Sequence, residues 1–152
     1  MGDRRDGVFE ELEVRSIRHG QRVTALRRQV PGLLRNRGGH ASAYELINDL
    51  PSIGRRPSPP PVYRTLEYLM EIGMVKRLSA TNTFVVPPPC ITGSTHTVFL
   101  NCTHCGAVEA LENLELERAL RAAANGAGYD VTGEHTEVNG ICRGCRSWSA
   151  KK

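Results

Sequence analysis

Pro59-Pro60-Pro61-Val62-Tyr63-Arg64-Thr65-Leu66-Glu67-Tyr68-Leu69-Met70-Glu71-Ile72-Gly73 decides how the first half of this chain folds. Proline costs little in a first helical turn, where the N–H groups lack partners anyway, so a helix is predicted from Pro60 to about Ile72, stopped by Gly73. Val62, Leu66, Leu69 and Met70 fall on one face of it, leaving Tyr63, Arg64 and Glu67 directed elsewhere. Two strand-like runs follow, Met74–Leu78 and Thr83–Val86, joined by a turn through Ala80-Thr81-Asn82.

Upstream, Ser42-Ala43-Tyr44-Glu45 is a capping box that opens a short helix to Leu50. A Pro-, Ser- and Arg-rich loop, Pro51 to Pro59, separates it from the next helix. A helix is also predicted over Thr24–Leu34, with Pro31-Gly32 kinking or fraying its end. Val8, Leu12 and Ile17 form an apolar helical face that stops at Gly20. Helices followed by a hairpin are the order of a winged helix. In that relative of the helix-turn-helix, one helix enters the major groove while the hairpin lies beside the DNA backbone.

Charge supports the same division. The 152 residues are 39% apolar and 24% charged, enough apolar matter for a core, but only 5% aromatic, so the core must rest on Leu, Val, Ile and Ala. Net charge is +4. Residues 1–89 carry 14 Lys/Arg against 9 Asp/Glu, whereas residues 90–152 carry 6 against 7. The excess positive charge therefore precedes the Pro87-Pro88-Pro89 run, where it can neutralise phosphates. No stretch of 18 apolar residues exists, and Met1-Gly2-Asp3-Arg4-Arg5 lacks a signal-peptide core. A soluble, cytoplasmic protein with no membrane partner is expected.

All five cysteines lie in the second part: Cys90, Cys102, Cys105, Cys142 and Cys145. The last four form two C-x-x-C pairs, a pattern that sets four thiolates around one structural zinc. Disulfides are disfavoured inside a cell, and a redox dithiol would use one pair rather than two. Around them, Thr97–Leu100 and Gly106–Leu111 read as strands, Asn113 as the cap of a helix through Ala124, and Tyr129–Val138 as one or two further strands. So small a core gains from both the zinc and a second copy of the chain. The expected class is α+β, with a winged-helix DNA-binding domain (1–87), a hinge (88–95) and a small α/β dimerisation domain with a four-cysteine zinc site (96–152).

These residues resemble the ferric uptake regulator family, and most closely its zinc uptake regulator branch. The resemblance rests on Gly20-Gln21-Arg22-Val23-Thr24, Ser42-Ala43-Tyr44-Glu45-Leu46, Pro59 to Leu66 and Gly73-Met74-Val75. The zinc branch is marked by Ser79 to Val85, Thr95-His96-Thr97, Cys102 to Val108 and Gly140 to Cys145. The resemblance implies a homodimeric regulator of double-stranded operator DNA. It carries two zinc ions per subunit, one structural and one regulatory at the hinge, which closes the dimer for binding. No small-molecule substrate and no enzyme activity are implied.

The family's DNA-reading positions fall on Tyr44 and Arg64, with Tyr63 beside them. An arginine fork suits guanine O6 and N7. Arg22, Arg55 and Arg56 are expected phosphate contacts. The alternatives are half-buried packing for Tyr44 and an ion pair with Glu67 or Glu71 for Arg64.

For the regulatory zinc, Cys90 and His96 match the branch's hinge cysteine and following histidine in kind, with altered spacing. Lys76 stands where the branch has a histidine, and a protonated lysine cannot coordinate. Ala110 stands where it has a glutamate, so Glu112, on the same strand face as residue 110, is expected instead. His40 matches a ligand of iron-type relatives. Glu117 and Glu134 resemble positions lining a further metal site in such relatives.

Three other functions remain open at this level: an iron, manganese or peroxide sensor of the same family; a DNA-binding module holding only the structural zinc; and a thiol enzyme using Cys90 and His96. The last lacks a visible orienting residue or oxyanion motif.

Overall fold

The chain divides between Pro87 and Pro88 into two units, each with its own three-stranded sheet. The computed structural model describes residues 3–50, 58–88 and 95–149.

In the first unit, α1 (Asp3–Arg18) and α2 (Ala25–Asn36) precede β1 (His40–Ser42), α3 (Ala43–Asp49), α4 (Pro59–Glu71), β2 (Lys76–Leu78) and β3 (Thr83–Val85). The capping box forms as the sequence predicts. The Ser42 N–H donates to Glu45 Oε2 at 2.8 Å, and the Glu45 N–H donates to Ser42 Oγ at 3.3 Å. The hairpin gains a third strand that the sequence reading did not anticipate. β1 pairs antiparallel with β3, giving the order β1-β3-β2. Three residues, the last of them a helix cap, are too few for a visible period of two.

Two other expectations are corrected. α2 does not end at Pro31: Val30, Pro31 and Leu34 are each buried and the helix continues to Asn36. On α1, Leu12 is buried but Ile17 is 77% exposed. Five residues advance a helix by about 500°, so Leu12 and Ile17 cannot share a face. Ser16, one turn on from Leu12, takes the inward place and is fully buried.

The core gathers Leu12, Val30, Leu34, Leu46, Val62, Leu66 and Leu69, with Tyr68 buried among them and Met70 only partly so. Tyr68 is tolerated inside because its hydroxyl donates to Ser16 Oγ at 2.6 Å, and Arg27 stacks over its ring at 3.4 Å. At the end of α4, Arg15 Nη1 donates to the Ile72 carbonyl at 2.9 Å. Gly73 there has φ +73°, and a Cβ would meet Arg15 Nη1 at 2.9 Å. The left-handed backbone is what requires glycine there, since the flexible tip of Arg15 could move aside.

The second unit runs β4 (Thr97–Cys102), β5 (Val108–Glu112), α5 (Leu114–Gly126), β6 (His135–Gly140) and α6 (Arg143–Ser149). β4 is central, antiparallel to β5 and parallel to β6. Asn113 caps α5, its Oδ1 accepting from the N–H groups of Glu115 and Leu116. Phe99 on β4 is fully buried and meets His135 edge to face. Register sets the two faces of this sheet. Thr97 lies opposite both Glu112 and His135, and Leu100 opposite Glu109 and Val138.

Candidate metal centre and nucleic-acid interface

Cys102 closes β4, Cys105 follows on a turn, Cys142 comes just after β6 and Cys145 lies in the first turn of α6. Their four sulfurs lie within 4.8 Å of one another, although the two pairs are 37 residues apart from Cys105 to Cys142. Sulfurs at about 2.3 Å from a tetrahedral zinc stand about 3.8 Å apart. The Cys105 and Cys142 sulfurs are 3.7 Å apart, and none of the four cysteines is in a disulfide. A disulfide would need about 2.05 Å. The arrangement fits one zinc ion and no S–S bond.

Backbone geometry prepares the site. The Cys102 N–H donates to the Ala107 carbonyl and the Gly106 N–H to the Cys102 carbonyl, folding the first knuckle back on itself. The N–H groups of Cys142, Cys105 and His104 point at Cys102 and lower its thiol pKa to about 6. Burial, reinforced by hydrogen bonds from the other three cysteines, raises Cys145 to about 12. A metal ion must expel that proton to recruit Cys145.

His96, 3% exposed, sits at the entry to β4. Its Nδ1 lies 3.0 Å from the Gly133 carbonyl and its Nε2 2.8 Å from Thr136 Oγ1. Thr136 alternates with His135 on β6, so His96 packs on the face opposite to the one that Glu112 and His135 share. The structure does not bring His96 and Glu112 together. His40 lies on β1 of the first unit, opposite Val85. Cys90 lies outside the described residues. Among the described residues, the four cysteines are the only cluster of three or more metal-binding side chains.

Glu117 is 7% exposed and accepts from Thr95 and from Arg121 Nε. Glu134 lends its backbone carbonyl to the Thr97 N–H.

In the first unit, Tyr44 on α3 is 73% exposed and Tyr63 on α4 is 46% exposed. Arg64 is exposed beside Tyr63 and, among the described residues, forms no ion pair with Glu67 or Glu71. Arg22 is exposed, while Arg55 and Arg56 lie outside the described residues. Other arginines are spent within the fold. Arg28 pairs with Glu13, and Arg37 with Asp49 and Glu45. Hydrogen bonding to Arg37 lowers the Asp49 pKa, whereas Glu45 is lowered first by the Ser42 N–H. The sequence reading passed over Arg77, exposed on edge strand β2, whose Nε and Nη2 donate to Asn82 Oδ1 at 3.2 and 2.8 Å. Asn82 has φ +52° at the hairpin turn, a position its residue type signals.

The model of the ferric uptake regulator family matches residues 18–139. This chain belongs to that family. The zinc uptake regulation protein of Escherichia coli K12 is 32% identical over 127 residues, covering 82% of this chain and 72% of the relative. The peroxide-responsive repressor PerR of Staphylococcus aureus USA300 is 27% identical over 149 residues, covering 93% and 95%. Among solved structures, a zinc uptake regulator complexed with zinc and DNA superimposes with a TM-score of 0.77 at 26% identity, covering 96% of this chain and 97% of that one. This family member thus has both a four-thiol cluster and, on its first unit, an exposed Tyr-and-Arg surface over α3 and α4.

Proposed function

We propose that the protein is a cytoplasmic, zinc-responsive transcriptional repressor that binds double-stranded operator DNA as a homodimer and controls zinc uptake genes. The likeness over almost the whole chain to a zinc uptake regulator bound to zinc and DNA carries this reading. Arg64, Tyr63 and Tyr44 read bases or the groove, and Arg22, Arg55 and Arg56 hold phosphates. One zinc is structural, held by Cys102, Cys105, Cys142 and Cys145. A second, exchangeable zinc is sensed through Cys90 and His96, whose thiolate and imidazole suit that ion. Glu112 faces away from His96, and its contribution, like that of His40, is decided by the variants below. The dimer face is the side of the second unit's sheet where Leu100, Leu111 and Val138 are exposed on one face near Ile141. No catalytic step is part of this reading.

Metal counting joined to operator titration tests it. The expected result is two zincs per chain, falling to one under mild chelation with loss of operator binding. Cys90→Ser and His96→Gln should each start at one zinc. Glu112→Gln and His40→Ala hold two zincs if those residues lie outside the shell. Unchanged operator binding at one zinc would instead identify a DNA-binding module without sensing, a reading that Lys76 and Ala110 favour. The 27% identity to a peroxide-responsive repressor favours a second sensor reading, in which iron or manganese rather than zinc would restore binding.

A further inference from the structure

We infer that Arg77, on the hairpin of β2 and β3, is a phosphate contact of the DNA surface, and that Asn82 positions it. The inference rests on the reading of the first unit as a binder of double-stranded DNA and adds to it a contact outside the helices. Charge sets Arg77 apart from other arginines of that unit. Arg15 pairs with Glu11, Arg28 with Glu13 and Arg37 with both Asp49 and Glu45, so each of those charges is answered within the fold. Arg77 is exposed and, among the described residues, forms no ion pair. Its Nε and Nη2 both donate to Asn82 Oδ1, at 3.2 and 2.8 Å, and Nη1 takes part in neither bond. An amide oxygen is a neutral acceptor, so it orients the guanidinium without cancelling its charge. Holding the side chain in advance also lowers the ordering cost of meeting an anion.

The fold puts this cation next to the helix that carries Tyr63 and Arg64. Arg77 lies opposite Phe84, and residues directly opposite in a ladder share a face of the sheet. Phe84 is buried in the core that Val62, Leu66 and Leu69 of α4 also line. Arg77 is therefore on the α4 side of the sheet, and β2 is an edge strand, which leaves its guanidinium at the rim. Asn82, with φ +52°, is the only non-glycine residue with a positive φ among the described residues. Asparagine tolerates that backbone, which brings its Oδ1 back to Arg77 across the hairpin turn. With α4 in the major groove, a hairpin cation at this rim meets phosphate oxygens, which fix the pose without reading sequence.

The test titrates the zinc-loaded, full-length protein across a range of salt. Two probes are used: a duplex that the protein selects from a random pool, and a shuffled duplex of the same length and composition. Arg77→Ala should reduce the slope of log affinity against log salt by about one on both duplexes. The ratio of wild-type to Arg77→Ala affinity should then fall about threefold between about 50 and 200 mM salt. Arg77→Lys should keep the wild-type slope, because its charge releases the same counterion. Asn82→Asp keeps a residue suited to the turn but answers the charge of Arg77 with a carboxylate, and it should reproduce the loss of Arg77→Ala. An unchanged slope in Arg77→Ala, or a loss confined to the selected duplex, overturns the phosphate contact. A wild-type slope in Asn82→Asp overturns the role of Asn82. Wild-type protein that binds both duplexes equally overturns instead the reading as an operator-specific repressor, while the slopes on the shuffled duplex still decide the contact.

Discussion

Across 22 residues of sequence, Glu117 receives both hydrogen-bond donors of Thr95, the backbone N–H at 3.1 Å and the hydroxyl at 2.8 Å. Arg121, one turn further along α5, donates to Glu117 Oε1 at 3.1 Å and to the Val131 carbonyl at 2.9 Å. One buried carboxylate thus ties α5 to the entry of β4, and its arginine partner ties α5 to the segment before β6. Glu117→Gln replaces an acceptor with an amide that cannot accept from Thr95 on both sides. A loss of about 2 kcal/mol is expected, since buried charged hydrogen bonds are worth about that much. Denaturant unfolding of the zinc-loaded protein, followed by the fluorescence of Trp148, the single tryptophan, measures it. A loss below about 0.5 kcal/mol would show that the tie is not structural.

Tyr68 is the corresponding pin of the first unit. Its hydroxyl meets a fully buried Ser16 at 2.6 Å, joining α1 to α4. Tyr68→Phe leaves the Ser16 hydroxyl without this partner and should cost about 1–2 kcal/mol. Ser16→Ala in the same background should recover part of that loss, because no buried hydroxyl then remains unpaired. Thermal unfolding of the four proteins in the double-mutant cycle gives the coupling.

How far the sequence could be read depended on whether the signal was local. The capping box at Ser42 and Glu45, the Asn113 cap and the glycine stop at Gly73 are each contained within a few residues, and each forms. The four cysteines were equally legible, because zinc knuckles impose their own spacing. β1 and α6 were not legible: β1 is short and is held by β3, distant in sequence, and α6 is a seven-residue helix that overlaps the second knuckle. Ile17 is apolar but stands about 140° around α1 from Leu12, so its residue type alone does not reveal its exposure. The placement of His96 on the face away from Glu112 could not be read either. It depends on the register of β4 with β6, which joins residues about 40 apart.

Arg64 separates base reading from mere attraction to DNA. It is exposed on α4 and, among the described residues, forms no ion pair, so its guanidinium fork is available. Arg64→Ala should weaken operator binding by about 10- to 100-fold and binding to unrelated DNA far less. Arg64→Lys should fail to restore it, since a point charge cannot make the paired contact. Arg22→Ala should weaken both kinds of DNA similarly and reduce the slope of log affinity against log salt by about one. Equal losses on both DNAs for Arg64→Ala would make it a phosphate contact.

The metal-free second unit should depend on pH in a way that its two shifted thiols determine. Cys102 is lowered from 9.0 to about 6 by the backbone N–H groups aimed at it. Between those values the folded chain carries a thiolate while the unfolded chain keeps its proton, so stability rises with pH from about 6 to about 9. Cys145 is raised from 9.0 to about 12, chiefly by burial, and works in the opposite sense. Its contribution is complete below about pH 9 and is lost as pH rises toward 12. The two together place the maximum near pH 9. Melting of the protein stripped of zinc, kept reduced with a strong chelator present, should therefore be higher at about pH 8.5 than at about pH 6.5. Cys102→Ser should abolish that difference while leaving the decline above about pH 9 in place. A wild-type curve that is flat between the two lower values would mean that the N–H groups converge on Cys102 only when the ion is bound. Zinc would then build its own site rather than enter one already formed.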